Sequence, residues 1–281
     1  MIEMIQRRLV GYRVGNPVAE QQATKEILQE IALYALWRAG FFEVAAFQGG
    51  TSLRILHGLP RFSEDLDFML KAPDSEFDWS PYLEQLLIGL EAFGLRAEAL
   101  DKSRMDQRVR KALIKDNSVC NQLDLAFHRG HEKKIRIKLE IDVNPPEASG
   151  FDYSYLDFPL DFEVCHQDLG SNFSLKIHAL LCRGYVKGRD WYDFTWYVKQ
   201  QVRPNYELLR AALDQSGPWV GEDRITDRGR LVEALMEKVS EIHWPDAVED
   251  VKPFLNPAEQ ESLRLWSERF FSKKVEGLRA C

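Results

Sequence analysis

The sequence predicts an α+β protein: a mixed α/β half built on a sheet, followed by a half that is all helix. Three observations point there. Residues 134–143 read KIRIKLEIDV, alternating charged and apolar side chains with the period of two that marks a half-buried strand. Upstream of it, short apolar runs are separated by glycine pairs, loops and single helical stretches. Past about residue 170, every apolar run has helical spacing. The change of pattern falls at 160–172 and divides a core domain over residues 1–165 from a helical domain over 166–281.

Taken in order, residues 18–39 carry Ile27, Ile31, Tyr34, Leu36 and Trp37 at helical spacing, with Gly40 as the stop. Phe42 to Phe47 is a short apolar run that predicts a buried strand, broken by Gly49-Gly50. Thr51 to Leu56 predicts a short helix, and Leu66 to Leu70 a second buried strand. Trp79 to Phe93 predicts a helix ended by Gly94. Leu95–Leu100, Arg108–Ile114 and Leu123–Phe127 are three further strand candidates. After the alternating strand, Pro145-Pro146 ends pairing, since proline removes a ladder donor. Helices are then expected over 174–187, 190–200, 206–215, 227–243 and 257–271.

Composition narrows the class. With 45% hydrophobic residues the chain can bury a substantial core, and no apolar run approaches the roughly 20 residues that cross a bilayer. The N-terminal segment has neither an apolar signal-peptide region nor a small-residue cleavage site. Cys120, Cys165, Cys182 and Cys281 form no CxxC pair and no zinc spacing. Reduced thiols and a cytoplasmic location are the expectation. The formal net charge is −7, yet residues 101–138 hold eleven Lys and Arg against five Asp and Glu. A basic segment on an acidic protein attracts a phosphate-rich partner; its alternative reading is a solvated, charged hairpin.

The stretch Gln48–Phe68, QGGTSLRILHGLPRFSEDLDF, carries the chemistry. Asp65 and Asp67 stand two apart at a strand, so they point the same way with Leu66 buried behind them. Two adjacent carboxylates need a counter-charge, and Mg²⁺ takes carboxylates together with substrate phosphate oxygens. The Gly49-Gly50-Thr51-Ser52 turn offers unhindered backbone N–H groups at a helix start, which suits phosphate. Together they predict a metal–triphosphate site. A third carboxylate is expected on the alternating strand, from Glu140 or Asp142, with Glu140 favoured.

A second constellation spans Lys176 to Asp193. On one helix, Lys176, Leu180, Arg183 and Lys187 would form a single stripe, placing three cations along a cleft wall. Asp190 and Asp193, three apart, would share a face of the next helix, although Asp190 could equally be only its cap.

These residues resemble the nucleotidyltransferase AbiEii/AbiGii toxin family of the DNA polymerase β-like superfamily. Gly49, Gly50, Thr51, Ser52, Leu53, Gly58, Arg61, Ser63, Asp65, Leu66, Asp67 and Phe68 follow that family's first block. Lys176, Ala179, Arg183, Arg189, Asp190 and Asp193 follow its later block, and Lys138 to Glu140 resembles the strand between them. The resemblance covers about residues 20–200. It implies a polymerase β-like core with a helical C-terminal domain, and transfer of a nucleoside monophosphate from an NTP with release of pyrophosphate. It also implies RNA, including tRNA 3′ ends, as acceptor, a separately encoded antitoxin, and a role in toxin–antitoxin or phage-defence systems. By position, Asp65 and Asp67 would be Mg²⁺ ligands and Lys176 would contact the triphosphate. Asp193 or Asp190 would be the late catalytic acid. Gly49, Gly50, Thr51, Ser52, Arg61, Ser63 and Arg183 would join Lys176 around the nucleotide, with either Thr51 or Ser52 touching phosphate. A small-molecule or protein acceptor, or a non-catalytic protein retaining the fold, are the alternative readings.

Overall fold

The computed structural model describes residues 1–104, 107–116, 118–127, 135–222 and 227–278. Lys134, which opens the predicted alternating strand, lies outside them, as do the rest of 128–134 and Cys281. The described chain divides into two compact units. One comprises residues 1–58, 62–145 and 152–166; the other comprises 59–61, 146–151 and 167–281.

The first unit contains α1 (Ile2–Gly11), α2 (Pro17–Arg38), the single turn α3 (Phe41–Val44), β1 (Ala45–Gln48), α4 (Gly49–His57) and β2 (Leu66–Leu70). There follow α5 (Ser80–Ala92), β3 (Ala97–Asp101), β4 (Val109–Asp116), the short α6 (Val119–Gln122), β5 (Ile135–Asp142), β6 (Phe151–Leu156) and β7 (Phe162–Gln167). Its strands form a seven-stranded mixed sheet in the order β3-β4-β5-β2-β1-β7-β6. β2 runs antiparallel to β1 and parallel to β5, while β5 is antiparallel to β4.

Alternation decides which face is buried. On β5, Ile135, Ile137, Leu139 and Ile141 are buried, and with Leu28 and Ala32 of α2 and Leu90 of α5 they form the core. α2 is buried along most of its length from Glu20 to Leu36, polar residues Glu20, Thr24, Glu26, Gln29 and Glu30 included, and is exposed at its two ends and at Gln21. Asn16 caps its start, its side chain accepting from the Ala19 N–H, with Pro17 in the first turn. α5 crosses α2 so closely that a Cβ on Gly89 would lie 2.6 Å from Ala35 Cβ. The opposite face of the sheet carries Lys111, Lys115, Arg136, Lys138, Glu140, Asp142 and Asp67.

The second unit is helical, as expected: α7 (Leu169–Cys182), α8 (Gly188–Lys199), α9 (Tyr206–Gln215), α10 (Arg228–Glu241), α11 (Trp244–Val251), α12 (Pro257–Ser262) and α13 (Glu268–Gly277). Its core is aromatic. Trp244 stacks on Phe271 at 4.0 Å between ring centroids, and Phe173 on Tyr197 at 4.3 Å. Among the described residues no helix is long and apolar enough to cross a membrane.

Several expected elements differ. Phe41–Val44 form a helical turn, so the strand expected over 42–47 begins only at Ala45. Gly49 and Gly50 end β1 as expected, and α4 starts at Gly49, two residues ahead of the helix expected from Thr51. Residues 123–127 are not a strand: the buried Glu20 carboxylate accepts the N–H groups of Ala126 and Phe127, 2.6 Å to the former, so those groups join no ladder. The helix expected over 257–271 is split at Trp266. α1, β6, β7 and α11 are further elements that the sequence reading did not include.

Candidate active site

In the first unit, β1 and β2 pair so that Gln48 lies opposite Asp67, and β2 and β5 pair so that Asp67 is level with Glu140. Asp142, the other candidate, is level with Met69. Leu66 is fully buried, and Asp65 and Asp67 on either side of it are half-buried. Both carboxylates act electrostatically on the Lys138 ammonium of β5.

Gly49 begins α4 directly after β1, with φ +76°, a conformation that costs glycine nothing. A Cβ there would stand 2.7 Å from Asp67 Oδ2 and 3.1 Å from Asp67 Cβ. The glycine turn is therefore in contact with Asp67. Behind them the scaffold is hydrogen-bonded. The Thr51 hydroxyl donates to the Asp65 carbonyl, Ser52 Oγ to the Gly49 carbonyl at 2.9 Å, and Gln48 Nε2 to the Phe68 carbonyl at 3.0 Å. Gln29 of α2 is fully buried, and its Nε2 donates to the Glu64 carbonyl at 2.8 Å, fastening the loop that ends at Asp65. Thr51 and Ser52 are both buried, so each hydroxyl holds main chain in place. Ser63 contributes its carbonyl, 3.4 Å from Gln29 Nε2.

The charges on this face are interlocked. Burial pushes the Asp65 carboxyl up, against the pull of Lys138 and Lys25. Burial would also raise Glu140, but Lys138 Nζ at 2.6 Å and Lys111 Nζ at 3.2 Å hold it below the usual carboxylate range. Arg108 holds Asp142, with Nε 2.7 Å from Oδ1. Asp65, Asp67 and Glu140 are hard oxygen donors of the kind Mg²⁺ takes, and the absence of a side chain at Gly49 makes room for the Asp67 carboxylate beside the main chain. Among the described residues, however, no three acidic, histidine or cysteine side chains converge closely enough to hold an ion. Two carboxylates supplemented by phosphate oxygens suffice for Mg²⁺, so the donor set fits. Glu140 is occupied by two lysines.

The later constellation forms a buried charge network inside the second unit. Lys176 on α7 has its Nζ 2.8 Å from Asp190 Oδ1 and 2.9 Å from Asp193 Oδ2, both on α8. Arg183 Nη1 reaches Asp190 Oδ2 at 2.6 Å. Arg61 grips Asp193 with two hydrogen bonds of 2.6 Å, and both side chains are buried. Burial alone would raise the Asp190 carboxyl; Lys176, Lys187 and Arg183 outweigh it and pull it down to about 2. Burial likewise opposes the Lys176 ammonium, and Asp190 and Asp193 hold it charged above the usual lysine range.

The expected stripe of Lys176, Leu180, Arg183 and Lys187 does not exist as one helix. α7 ends at Cys182, Arg183 turns to an extended conformation (φ −74°, ψ 130°), and Lys187 is the N-cap of α8. The cations converge on Asp190 instead of lining a wall. Asp190 and Asp193 do share a face, and Asp190 does not cap α8. Gln29, Arg61 and Lys138 take parts that sequence reasoning missed or assigned otherwise. Arg61 and Lys138 left a signal, in the blocks that carry the resemblance; Gln29 left none.

The chain matches the family model described as "Nucleotidyl transferase AbiEii toxin, Type IV TA system" over residues 31–270. Two solved structures from Helicobacter pylori share the fold. One, described as a "putative nucleotidyltransferase", is 16% identical, with TM-score 0.50 over 90% of this chain and 96% of that one. The other, JHP933, is 17% identical, with TM-score 0.51 over 90% of this chain and 93% of that one. No curated protein matches.

Proposed function

Because the chain belongs to the AbiEii nucleotidyltransferase toxin family, we propose that it transfers a nucleoside monophosphate from an NTP to RNA, with tRNA as the favoured acceptor, and releases pyrophosphate. In this reading it requires Mg²⁺, acts in the cytoplasm as the toxin of a toxin–antitoxin or phage-defence pair, and is countered by a cognate antitoxin protein.

The observation that supports this most is the contact of the Gly49 main chain with Asp67. It sets an unobstructed backbone, able to approach a triphosphate, against the carboxylate pair. Asp65 and Asp67 would hold Mg²⁺ with the phosphate oxygens, and Glu140, level with Asp67, is the third carboxylate in preference to Asp142. When bound there, Mg²⁺ would supply charge neutralisation at the reacting phosphorus and would make the attacking hydroxyl more acidic. Gly49 and Gly50 receive the phosphates on their main chain. Thr51 and Gln29 keep Asp65 in place through the main chain around it. Lys176 and Arg183 are the cations proposed to meet phosphate, which each would do by exchanging one of its present carboxylate partners. Asp193, with Asp190 beside it, is the proposed late acid, and Arg61 fixes its orientation.

The test uses Asp67→Asn, with folding verified by circular dichroism. Incubated with α-labelled NTP, Mg²⁺ and total RNA, the natural chain should label an RNA band and the variant should leave it unlabelled. Label transferred by the variant at the natural rate would remove the carboxylate pair from the mechanism. Label entering a small-molecule or protein fraction, with none in RNA, would replace the acceptor.

A further inference from the structure

The polar face of the sheet already holds a cation beside the carboxylates, and it belongs to the chain. Lys138 and Glu140 stand two apart on β5, so they share that face, and Lys138 Nζ lies 2.6 Å from Glu140 Oε1. Lys111, level with Glu140 on β4, closes on the same oxygen at 3.2 Å. Asp67 is level with Glu140 on the other side, and the Lys138 ammonium is acted on by Glu140, Asp65 and Asp67 together. One lysine therefore serves three carboxylates, and those three do not converge on a common point among the described residues. The lysine stems are partly exposed, 41% for Lys138 and 42% for Lys111. Exposed pairs of this kind hold weakly, and a long flexible stem exchanges partners readily.

We propose that Lys138 is a resident counter-cation, which sits on Glu140 when no divalent ion is bound and must leave it for Glu140 to become a metal ligand. The idea rests on the metal reading given above and deepens it. It follows that the divalent ion alone binds against a competitor already in place. An NTP offers the displaced ammonium a new anion, so cation and nucleotide bind more strongly together than either does alone. Reciprocity of coupled binding requires the same factor in both directions.

The experiment titrates Mn²⁺ into the full-length protein and reads free Mn²⁺ by electron paramagnetic resonance, with and without a non-hydrolysable NTP analogue. Without nucleotide, Lys138→Met should bind Mn²⁺ roughly two- to fivefold more tightly than the natural chain, the scale of one partly exposed ion pair. The analogue should narrow that gap. Lys138→Arg, which restores the charge, should bind as the natural chain does. Lys115→Met, on the same face but with no contact to these carboxylates among the described residues, should change the affinity by less than about twofold, since a remote surface charge is largely screened. Equal or weaker Mn²⁺ binding by Lys138→Met, or an equal gain in Lys115→Met, overturns the proposal while leaving the metal reading intact. If Asp67→Asn binds Mn²⁺ as well as the natural chain, the metal reading fails and the proposal falls with it.

Discussion

Gly49 shows how one residue type can be required twice. Its φ of +76° lies where a side chain is strained, and the Cβ that strain would carry meets Asp67 at 2.7 Å. Gly49→Ala should therefore cost about 1–3 kcal/mol of stability from backbone strain alone. It should also reduce nucleotide transfer far more than that loss of stability explains, because Asp67 must shift. Urea unfolding beside single-turnover kinetics separates the two effects, and an active, destabilised variant would confine Gly49 to folding. The Asp65–Asp67 pair was legible because i and i+2 on a strand need no tertiary information. Arg61 was not. It reads as a cation near a phosphate turn, yet its partner Asp193 is 132 residues away in sequence, a distance no local pattern spans. That pair is buried, and removing one half leaves an uncompensated charge. Asp193→Leu should destabilise by about 3–5 kcal/mol, measured by denaturant unfolding, so its loss of activity has meaning only beside a measured fold.

At the scale of elements, legibility followed amphipathic contrast. β5 alternates so strongly that it was read to within a residue, and α9 coincides with the helix expected over 206–215. β6 and β7 were missed: β6 alternates aromatic and polar residues over only six positions and is largely exposed, and β7 is buried on nearly every position and so shows no wet face. α7 ends five residues early because Arg183 leaves the helix to reach Asp190, an ion pair that helical spacing cannot foresee. α1 is an element whose attachment predicts a pH dependence. Arg8 pairs with Glu30 of α2, and Tyr12 donates to Glu26 at 2.8 Å. Burial, with Glu26 and Asp157 nearby, pushes the Glu30 carboxyl up to about 7 despite Arg8. An unfolded glutamate titrates near 4.3, so between roughly pH 4.5 and 7 the folded state binds the extra proton, and stability falls as pH rises through that window. The loss attributable to Glu30 reaches at most about 4 kcal/mol. Glu30→Gln should remove that share of the slope between pH 5 and 8 in thermal unfolding, whatever it does to absolute stability. An unchanged slope would assign the titration to other groups.

For the whole molecule, the balance of charge matters more than its sum. A net of −7 repels RNA at long range, while residues 101–138 concentrate eleven cations against five anions. Some of those cations lie outside the described residues, but β4 and β5 show where others go. Lys115 is level with Arg136, and along the same two strands Lys111 is level with Glu140, itself level with Asp67. Cations thus occupy the polar face of the first unit about 13 Å along the strands from the carboxylates, at roughly 3.3 Å per residue. Under the proposed function, those cations would follow the backbone of an acceptor whose reactive end lies at Asp67. Binding that depends on such contacts releases counterions, and for a single strand each phosphate contact adds about 0.7 to the slope of log affinity against log salt. Neutralising the outer pair together, Lys115→Gln with Arg136→Gln, should flatten that slope by about 1.4 and weaken RNA binding alike for every sequence tested. Transfer at saturating RNA should persist, because neither side chain reaches the carboxylates. Filter binding across a range of salt concentrations reads the slope directly. A slope unchanged by the double substitution would move the acceptor off this face and leave the basic segment as a solvated hairpin, the alternative that composition alone could not exclude.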